Sequence, residues 1–265
     1  MPTLRPIIFL LCLIGGVYAC RPEKADDPSV VVTAKPEFRI DAYEQRDSSH
    51  GEATFGLWVE SMDLYECSHY RIESEVRQTG QQIEIDLLDV QRPASCTGGP
   101  APARQFVALG QLTAGDYPFR LTLGKTIVNE GVFTVKDDQF SIDLPQPQGI
   151  VIQNYTAAHL PDTLLWGYVS VPSEAAHTAA QNFTSEIKAI TTDSGLVPGF
   201  YSYFTVSGTG EIFFHSSVTP GNPAVIFVRK LRAAPTVLKT LLQNYRAGGQ
   251  HEPLTLRCFS TFGEL

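Results

Sequence analysis

Near the middle of the chain, the run Pro145-Gln146-Pro147-Gln148-Gly149 stops one kind of sequence and starts another. Two prolines and a glycine remove backbone donors and limit strand pairing, so this run predicts a joint between two modules. Before it, apolar residues recur with period two. After it, period-two stretches alternate with two stripes of helical spacing. A chain of 265 residues is long enough for two modest cores. The predicted organisation is multi-domain: a leader over 1–19, a tether over 20–36, an all-β sandwich over 37–147 and an α+β domain over 148–265.

In the first half the strand candidates are Phe38 to Tyr43, Ala53 to Val59, Ser68 to Arg77, Gln82 to Val90, Arg104 to Leu109, Tyr117 to Leu123, Gly131 to Val135 and Phe140 to Leu144. Turn residues divide them, and no helical stripe intervenes. The run Leu112-Thr113-Ala114-Gly115-Asp116-Tyr117 resembles the tyrosine corner of immunoglobulin-like sandwiches, where the phenol bonds nearby backbone. From Cys96 to Phe133-Thr134-Val135 the pattern is similar to Ig-like modules of bacterial surface lipoproteins. That resemblance covers about 40% of the chain, and it implies a fold but no activity.

The second half predicts a strand over Leu164 to Val171, then a helix capped by Ser173, with Glu174 in its first turn. Ala176, Ala179, Ala180, Phe183, Ile187 and Ile190 form its apolar stripe. Phe200 to Val206 and Glu211 to Ser217 read as a hairpin about Ser207-Gly208-Thr209-Gly210. Ala224 to Leu231 is a further strand. Pro235 opens a second helix with the stripe Leu238, Leu241, Leu242 and Tyr245, Gly248-Gly249 stops it, and Leu254 to Phe259 closes the module. This order resembles a ferredoxin-like α+β sandwich with an extra strand.

At the N-terminus, Arg5, the apolar run Ile7 to Val17 and then Val17-Tyr18-Ala19-Cys20 resemble a bacterial lipoprotein signal peptide. The apolar run is too short for a membrane span, which needs roughly 20 residues. The resemblance implies cleavage before Cys20 and lipidation of that cysteine. Tyr18 departs from the family pattern, which carries Ala, Ser or Thr there, and ordinary secretory cleavage after Ala19 is the alternative. Arg21 to Pro28 is too polar to fold and reads as a tether. Export permits disulfides, and Cys67 with Cys96, both in the first module, is the favoured pair. Cys258 sits in an apolar alternating run and reads as a buried free thiol.

Residues 37–147 carry twice as many acidic as basic residues, whereas 148–265 are balanced. An acidic half repels nucleic acid and anionic headgroups, so neither is an expected partner. No catalytic residue, metal site or cofactor is predicted. His50, His69, Asp41, Glu52 and Asp63 lack ligand spacing, as do His159, His177, His215 and His251. Asp86 and Asp89 lack a calcium-loop pattern, and Ser207 to Gly210 matches neither a nucleophile elbow nor a phosphate loop. Arg229, Lys230, Arg232 and Lys239 gather near the N-terminus of the second helix. They predict either an anion site or a contact with the acidic first module.

These readings lead to an expected function: a membrane-tethered, non-enzymatic binding or structural lipoprotein of the bacterial envelope. It is expected at the outer membrane or cell surface, or alternatively in the periplasm, contacting another envelope protein or a glycan. Two other classes stay open. One is an assembly factor for surface fibres or polysaccharide export. The other is a hydrolase whose site would draw His215, Glu211, Asp162 or Cys258 into one cleft.

Overall fold

The computed structural model describes residues 34–46, 52–215, 223–248, 253–261 and 263–265. The leader, Cys20, the tether up to Thr33, His50 and His251 lie outside the described residues. Ala34–Leu265 groups as one compact unit. In chain order the elements are β1 (Phe38–Arg46), β2 (Ala53–Tyr65), β3 (Arg71–Thr79), β4 (Gln82–Gln91), β5 (Ala101–Gly110), β6 (Gly115–Leu123), β7 (Ile127–Val135), β8 (Gln139–Asp143), β9 (Ile150–Ile152) and β10 (Thr156–Ala158). They continue with β11 (Leu164–Ser170), α1 (Glu174–Ile190), β12 (Thr191–Asp193), β13 (Gly199–Tyr201), β14 (Phe204–Val206), β15 (Ile212–Phe214), β16 (Ala224–Leu231), α2 (Pro235–Ala247), β17 (Leu256–Ser260) and β18 (Gly263–Glu264). The described residues are mostly β, with two helices, as the sequence predicts at that level.

Two sheets enclose the first core. Sheet A has the order β5-β2-β1-β9 and sheet B the order β10-β8-β7-β6-β4-β3. Strand alternation sends Ile40, Ala42, Leu57 and Val59 of sheet A inward against Ile83, Ile85, Leu121, Phe133 and Phe140 of sheet B. The disulfide joins Cys67 to Cys96, tying the β2–β3 connection to the β4–β5 connection. Two pairings are parallel, β1 with β9 and β4 with β6.

Beyond Pro147 the chain does not leave the sandwich at once. The Asn129 side chain clamps Gln148 by accepting from its N–H at 2.6 Å and donating to its carbonyl at 3.1 Å. Gly149, at φ 71°, turns the chain, and its carbonyl accepts from Glu37 N at 2.7 Å. Ile150–Ile152 is thereby laid along β1, and Thr156–Ala158 pairs with β8. The proline run therefore marks a turn between strands of the same two sheets.

Sheet C, in the order β12-β16-β11-β17-β18, is antiparallel throughout. Ser173 caps α1 by accepting from Ala176 N at 3.1 Å, and the stripe Ala176, Ala179, Ala180, Phe183 and Ile187 is buried. Helix α2 begins with Pro235, buries Leu238, Leu241, Leu242 and Tyr245, and ends at Gly248 in the left-handed region. Both helices pack on the face of sheet C formed by Leu165, Val169, Phe227 and Cys258. Tyr245 donates to Glu186 at 2.7 Å and joins the two helices. On the other face, Leu164 and Trp166 meet Tyr201, Phe204 and Val206 of sheet D, whose order is β13-β14-β15.

The segment Phe200 to Val206, expected as one strand, is broken at Ser202, where φ is 37°. The break lets β13 and β14 fold back on each other. The hairpin about Ser207 to Gly210 forms between β14 and β15. Short strand β12 follows α1 directly.

Candidate functional site, a polar cleft on the outer face of the sandwich

The outer face of sheet A carries an unusual set of side chains. Arg39 lies opposite Glu60, Asp41 opposite Trp58 and Tyr43 opposite Gly56, so all share the face turned away from the core. Strand β5 extends the rows, placing Phe106 opposite Trp58 and Arg104 opposite Glu60. Glu60 bridges two guanidinium groups, Arg39 at 2.9 Å and Arg104 at 3.1 Å. A Cβ on Gly56 would collide with the Phe106 ring and the Val107 carbonyl, so only glycine permits this packing. Tyr43 then sits among Trp58 at 5.5 Å, Phe106 at 5.7 Å and Tyr203 at 5.2 Å.

Sheet D roofs this face and leaves a cleft of about 240 Å³. Its polar lining includes Arg39, Asp41, Glu60, Asn154, Thr205 and His215, and Trp58 and Phe200 supply rings. Asp41 Oδ1 accepts from Asn154 N at 2.8 Å and from Asn154 Nδ2 at 3.0 Å. His215 stacks on Phe200 with centroids 4.9 Å apart. Its Nδ1 lies 3.0 Å from the Ser202 carbonyl and its Nε2 lies 2.9 Å from Thr205 Oγ1. A carbonyl can only accept, so Nδ1 carries the hydrogen, and in the neutral ring Nε2 accepts from the Thr205 hydroxyl.

Ser202 is the pivot of this roof. A non-glycine residue at positive φ costs free energy and persists only where its surroundings hold it. Here the Ser202 hydroxyl accepts from Glu44 N at 2.9 Å, which hooks the turn onto β1, while its carbonyl orients His215. Burial raises the Asp41 pKa despite the two bonds from Asn154, and burial lowers that of His215. Tyr43 is raised well above its ordinary value, and Tyr203 is pushed up to about 12, both chiefly by burial.

Around the end of β1 runs a buried ionic network that fastens the cleft's floor. Glu44 is fully buried. It accepts from Arg46 Nε at 2.9 Å, His159 Nδ1 at 3.1 Å and Leu160 N at 3.2 Å. Arg46 also donates to the Leu160 carbonyl at 2.9 Å and pairs with Asp162. His159 packs against the core rings Phe55 and Phe140. The segment leading into β11 is thus tied to the sandwich by charge as well as by strand pairing.

Residues singled out in the sequence fall in several places. Asp41 and His215 reach the cleft. Glu211 lies in the exposed β14–β15 turn, Asp162 pairs with Arg46, and Cys258 is buried beneath the helices, where burial pushes its thiol up to about 12. The four therefore do not converge. Asp86 pairs with Arg77, and Asp63 and His69 are exposed. Among the described residues no three His, Cys, Asp or Glu side chains gather as a metal site. Of the basic group, Arg229 is taken by Asp193 at 2.5 Å and by Thr191 at 3.0 Å, both within the second half. Lys230 is exposed. Arg232 and Lys239 both line a separate cavity.

The cleft residues that sequence reasoning missed are Arg39, Glu60, Trp58, Asn154, Ser202 and Thr205. Period-two spacing on β1 and β2 does put Arg39, Asp41, Trp58 and Glu60 on single strand faces. Nothing local reveals that these faces adjoin, or that a distant hairpin covers them. No protein-family model matches the chain, no curated protein matches it in sequence, and no solved structure matches it.

Proposed function

We propose that this chain is a lipid-anchored binding protein of the bacterial envelope whose polar cleft takes a saccharide. The observation that carries the reading is the company of short planar polar groups, Asp41, Asn154, Glu60 and Arg39, beside the half-buried Trp58 ring in one small cleft. Carboxylates and amides each offer several hydrogen-bonding atoms in a fixed plane, suited to vicinal hydroxyls, and an indole face suits the apolar side of a sugar ring. Lipidation at Cys20 would hold the cleft at the outer membrane or cell surface, with the polar tether as spacer.

On the finer fold, we read the first half as an Ig-like module and the second as a ferredoxin-like one. The Tyr117 hydroxyl donates to the Thr113 carbonyl at 2.9 Å and accepts from Thr113 N at 3.1 Å, which supports a tyrosine corner. The parallel β4–β6 pair departs from an all-antiparallel sandwich. For the second half, the order β12-β16-β11-β17 with α1 and α2 on one face supports a split βαβ arrangement, with sheet D inserted between β12 and β16.

A saccharide array carrying neutral hexoses, N-acetylhexosamines and uronates tests the cleft. Specific binding is expected, weakened about ten- to hundredfold by Asp41→Ala, because a charged hydrogen-bond partner is worth roughly 1.5–3 kcal/mol. An array with no signal, or signal untouched by Asp41→Ala and Trp58→Ala together, overturns the assignment. Protease treatment of intact host cells, beside a Cys20→Ala variant, tests the address: digestion of the wild type alone is expected for a surface-anchored form.

One observation favours a hydrolase instead. The Thr205 hydroxyl on a neutral His215, itself held by a carbonyl, has the arrangement of a nucleophile with its base. Turnover of a chromogenic ester or glycoside that His215→Gln abolishes would establish that reading over simple binding.

A further inference from the structure

A second cavity lies at the end of sheet C where β11 begins and β16 and β17 finish, beneath the first turn of α2. It measures about 730 Å³, within the range of small-molecule sites. Its walls are aliphatic, with Leu164, Leu165, Leu231 and Leu238 contributed by three different elements. Arg232 and Lys239 also line it and are exposed, and neither side chain makes a hydrogen bond or ion pair with another described residue.

Among the described residues, charge at the rim is one-sided despite two acidic side chains and the main-chain carboxyl of Leu265. Asp162 is engaged by Arg46 from the sandwich, Glu264 is held by Arg257 through two bonds of 2.7 Å, and the Leu265 main-chain oxygen accepts from Arg246 at 2.6 Å. The first turn of α2 carries no acidic residue. Each anion thus already has a cationic partner, leaving Arg232 and Lys239 as the charges at the cavity without a partner among the described residues. An apolar chamber whose rim, among the described residues, offers two unpaired cations and no unpaired anion is complementary to one chemical class, a single alkyl chain ending in an anionic headgroup.

We propose that this cavity binds a free single-chain anionic amphiphile of the fatty-acid class, its chain among the leucines and its headgroup between Arg232 and Lys239. The site is separate from the saccharide cleft and stands or falls independently of it. Isothermal titration of octanoate, decanoate and dodecanoate, below their micellar concentrations, into the chain lacking residues 1–20 tests this. Those residues lie outside the compact unit Ala34–Leu265. One saturable site is expected, tightening roughly fourfold for each buried methylene. Dodecanol is expected to bind about tenfold more weakly than dodecanoate, and Arg232→Gln with Lys239→Gln should erase that preference.

Ala233→Trp, placed in the cavity wall, is expected to weaken dodecanoate at least tenfold with an unchanged circular dichroism spectrum. Thr236→Trp in the exposed first turn of α2 serves the same purpose should the first variant lose its fold. Absence of saturable binding, equal affinity for dodecanol and dodecanoate, or dodecanoate binding indifferent to the tryptophan would each overturn the proposal. So would association with anionic vesicles that excess dodecanoate fails to displace, since that outcome indicates docking to a membrane surface.

Discussion

The two halves of this molecule are held together by different means. The α+β half is built from neighbours in sequence: two amphipathic helices lay their stripes on a sheet through Phe183, Leu238, Leu242 and Tyr245, and its described core contains no disulfide and no fully buried ion pair. The sandwich half depends on links between distant segments. These are the Cys67–Cys96 bond, the Asn129 clamp on Gln148 and the buried Glu44 with its partners Arg46 and His159. Apolar stripes stabilise without fixing direction, whereas polar links specify which segments meet. The cleft lies where the specified segments meet. The aliphatic cavity lies where the stripes run out.

The sharpest way to break the contrast is at Glu44. Replacing it with alanine leaves Arg46, His159 and Leu160 N without their shared acceptor inside the fold. Loss of one partner from a buried charged network costs about 3–5 kcal/mol. Glu44→Ala is therefore expected to lower the chemical denaturation midpoint strongly and to disturb the cleft, whose Ser202 turn hangs on the same residue's backbone. A midpoint within experimental error of wild type would mean that the network is not holding the sandwich.

Next in size is the disulfide. It closes a loop of sequence separation 29 and is expected to contribute about 3 kcal/mol through the unfolded chain. Cys67→Ser with Cys96→Ser should destabilise by that amount, and reduction of the wild type should match the double variant. Cys258 gives the internal control. Buried and unpaired, it should resist thiol reagents until the chain unfolds.

The same contrast explains what the sequence made legible. Both helices, their caps and their buried stripes could be read because a helix shows its inward face within one turn or two, and Ser173, Pro235 and Gly248 are local signals. Most sandwich strands were also legible from alternation. Their partners were not, because register and sheet order depend on residues far apart: β9 is laid along β1, distant in sequence, with Asn129, Gly149 and Glu37 fixing the turn that brings it there. The cleft suffers most from this. Arg39 and Asp41 look like ordinary outward residues until β13 and β14 are placed above them. Glu44, at an inward position of β1, was a signal available from spacing alone: an acid among Ile40 and Ala42 on a core-facing row requires partners. By contrast, Arg232 and Lys239 drew attention because they lie near one another in the chain.

The smallest expected effect is that of pH. His159 presents Nδ1 to the Glu44 carboxylate at 3.1 Å and Nε2 to the Lys136 carbonyl at 2.8 Å. Both partners accept, so both ring nitrogens donate and the ring is an imidazolium in this arrangement. Burial by itself lowers its pKa and Arg46 opposes the charge, but the bonds to Glu44 and Lys136 prevail and the net shift is upward from 6.5. A raised folded pKa means that the stabilisation is fully present below the unfolded value and is lost as pH rises through the folded one. His215 works in the opposite sense. Its pKa is lowered by burial, so its contribution is present above 6.5 and fades as pH falls through the lowered value. Melting temperatures of wild type and His159→Gln should therefore differ most near pH 6, and the difference should narrow as pH is raised toward about 9. His215→Gln should show its largest deficit at the alkaline end instead. A wild-type to His159→Gln difference that stays constant across that range would mean His159 is neutral in the fold, and the charged link between β1 and the segment entering β11 would then rest on Arg46, beside the Leu160 N bond to Glu44.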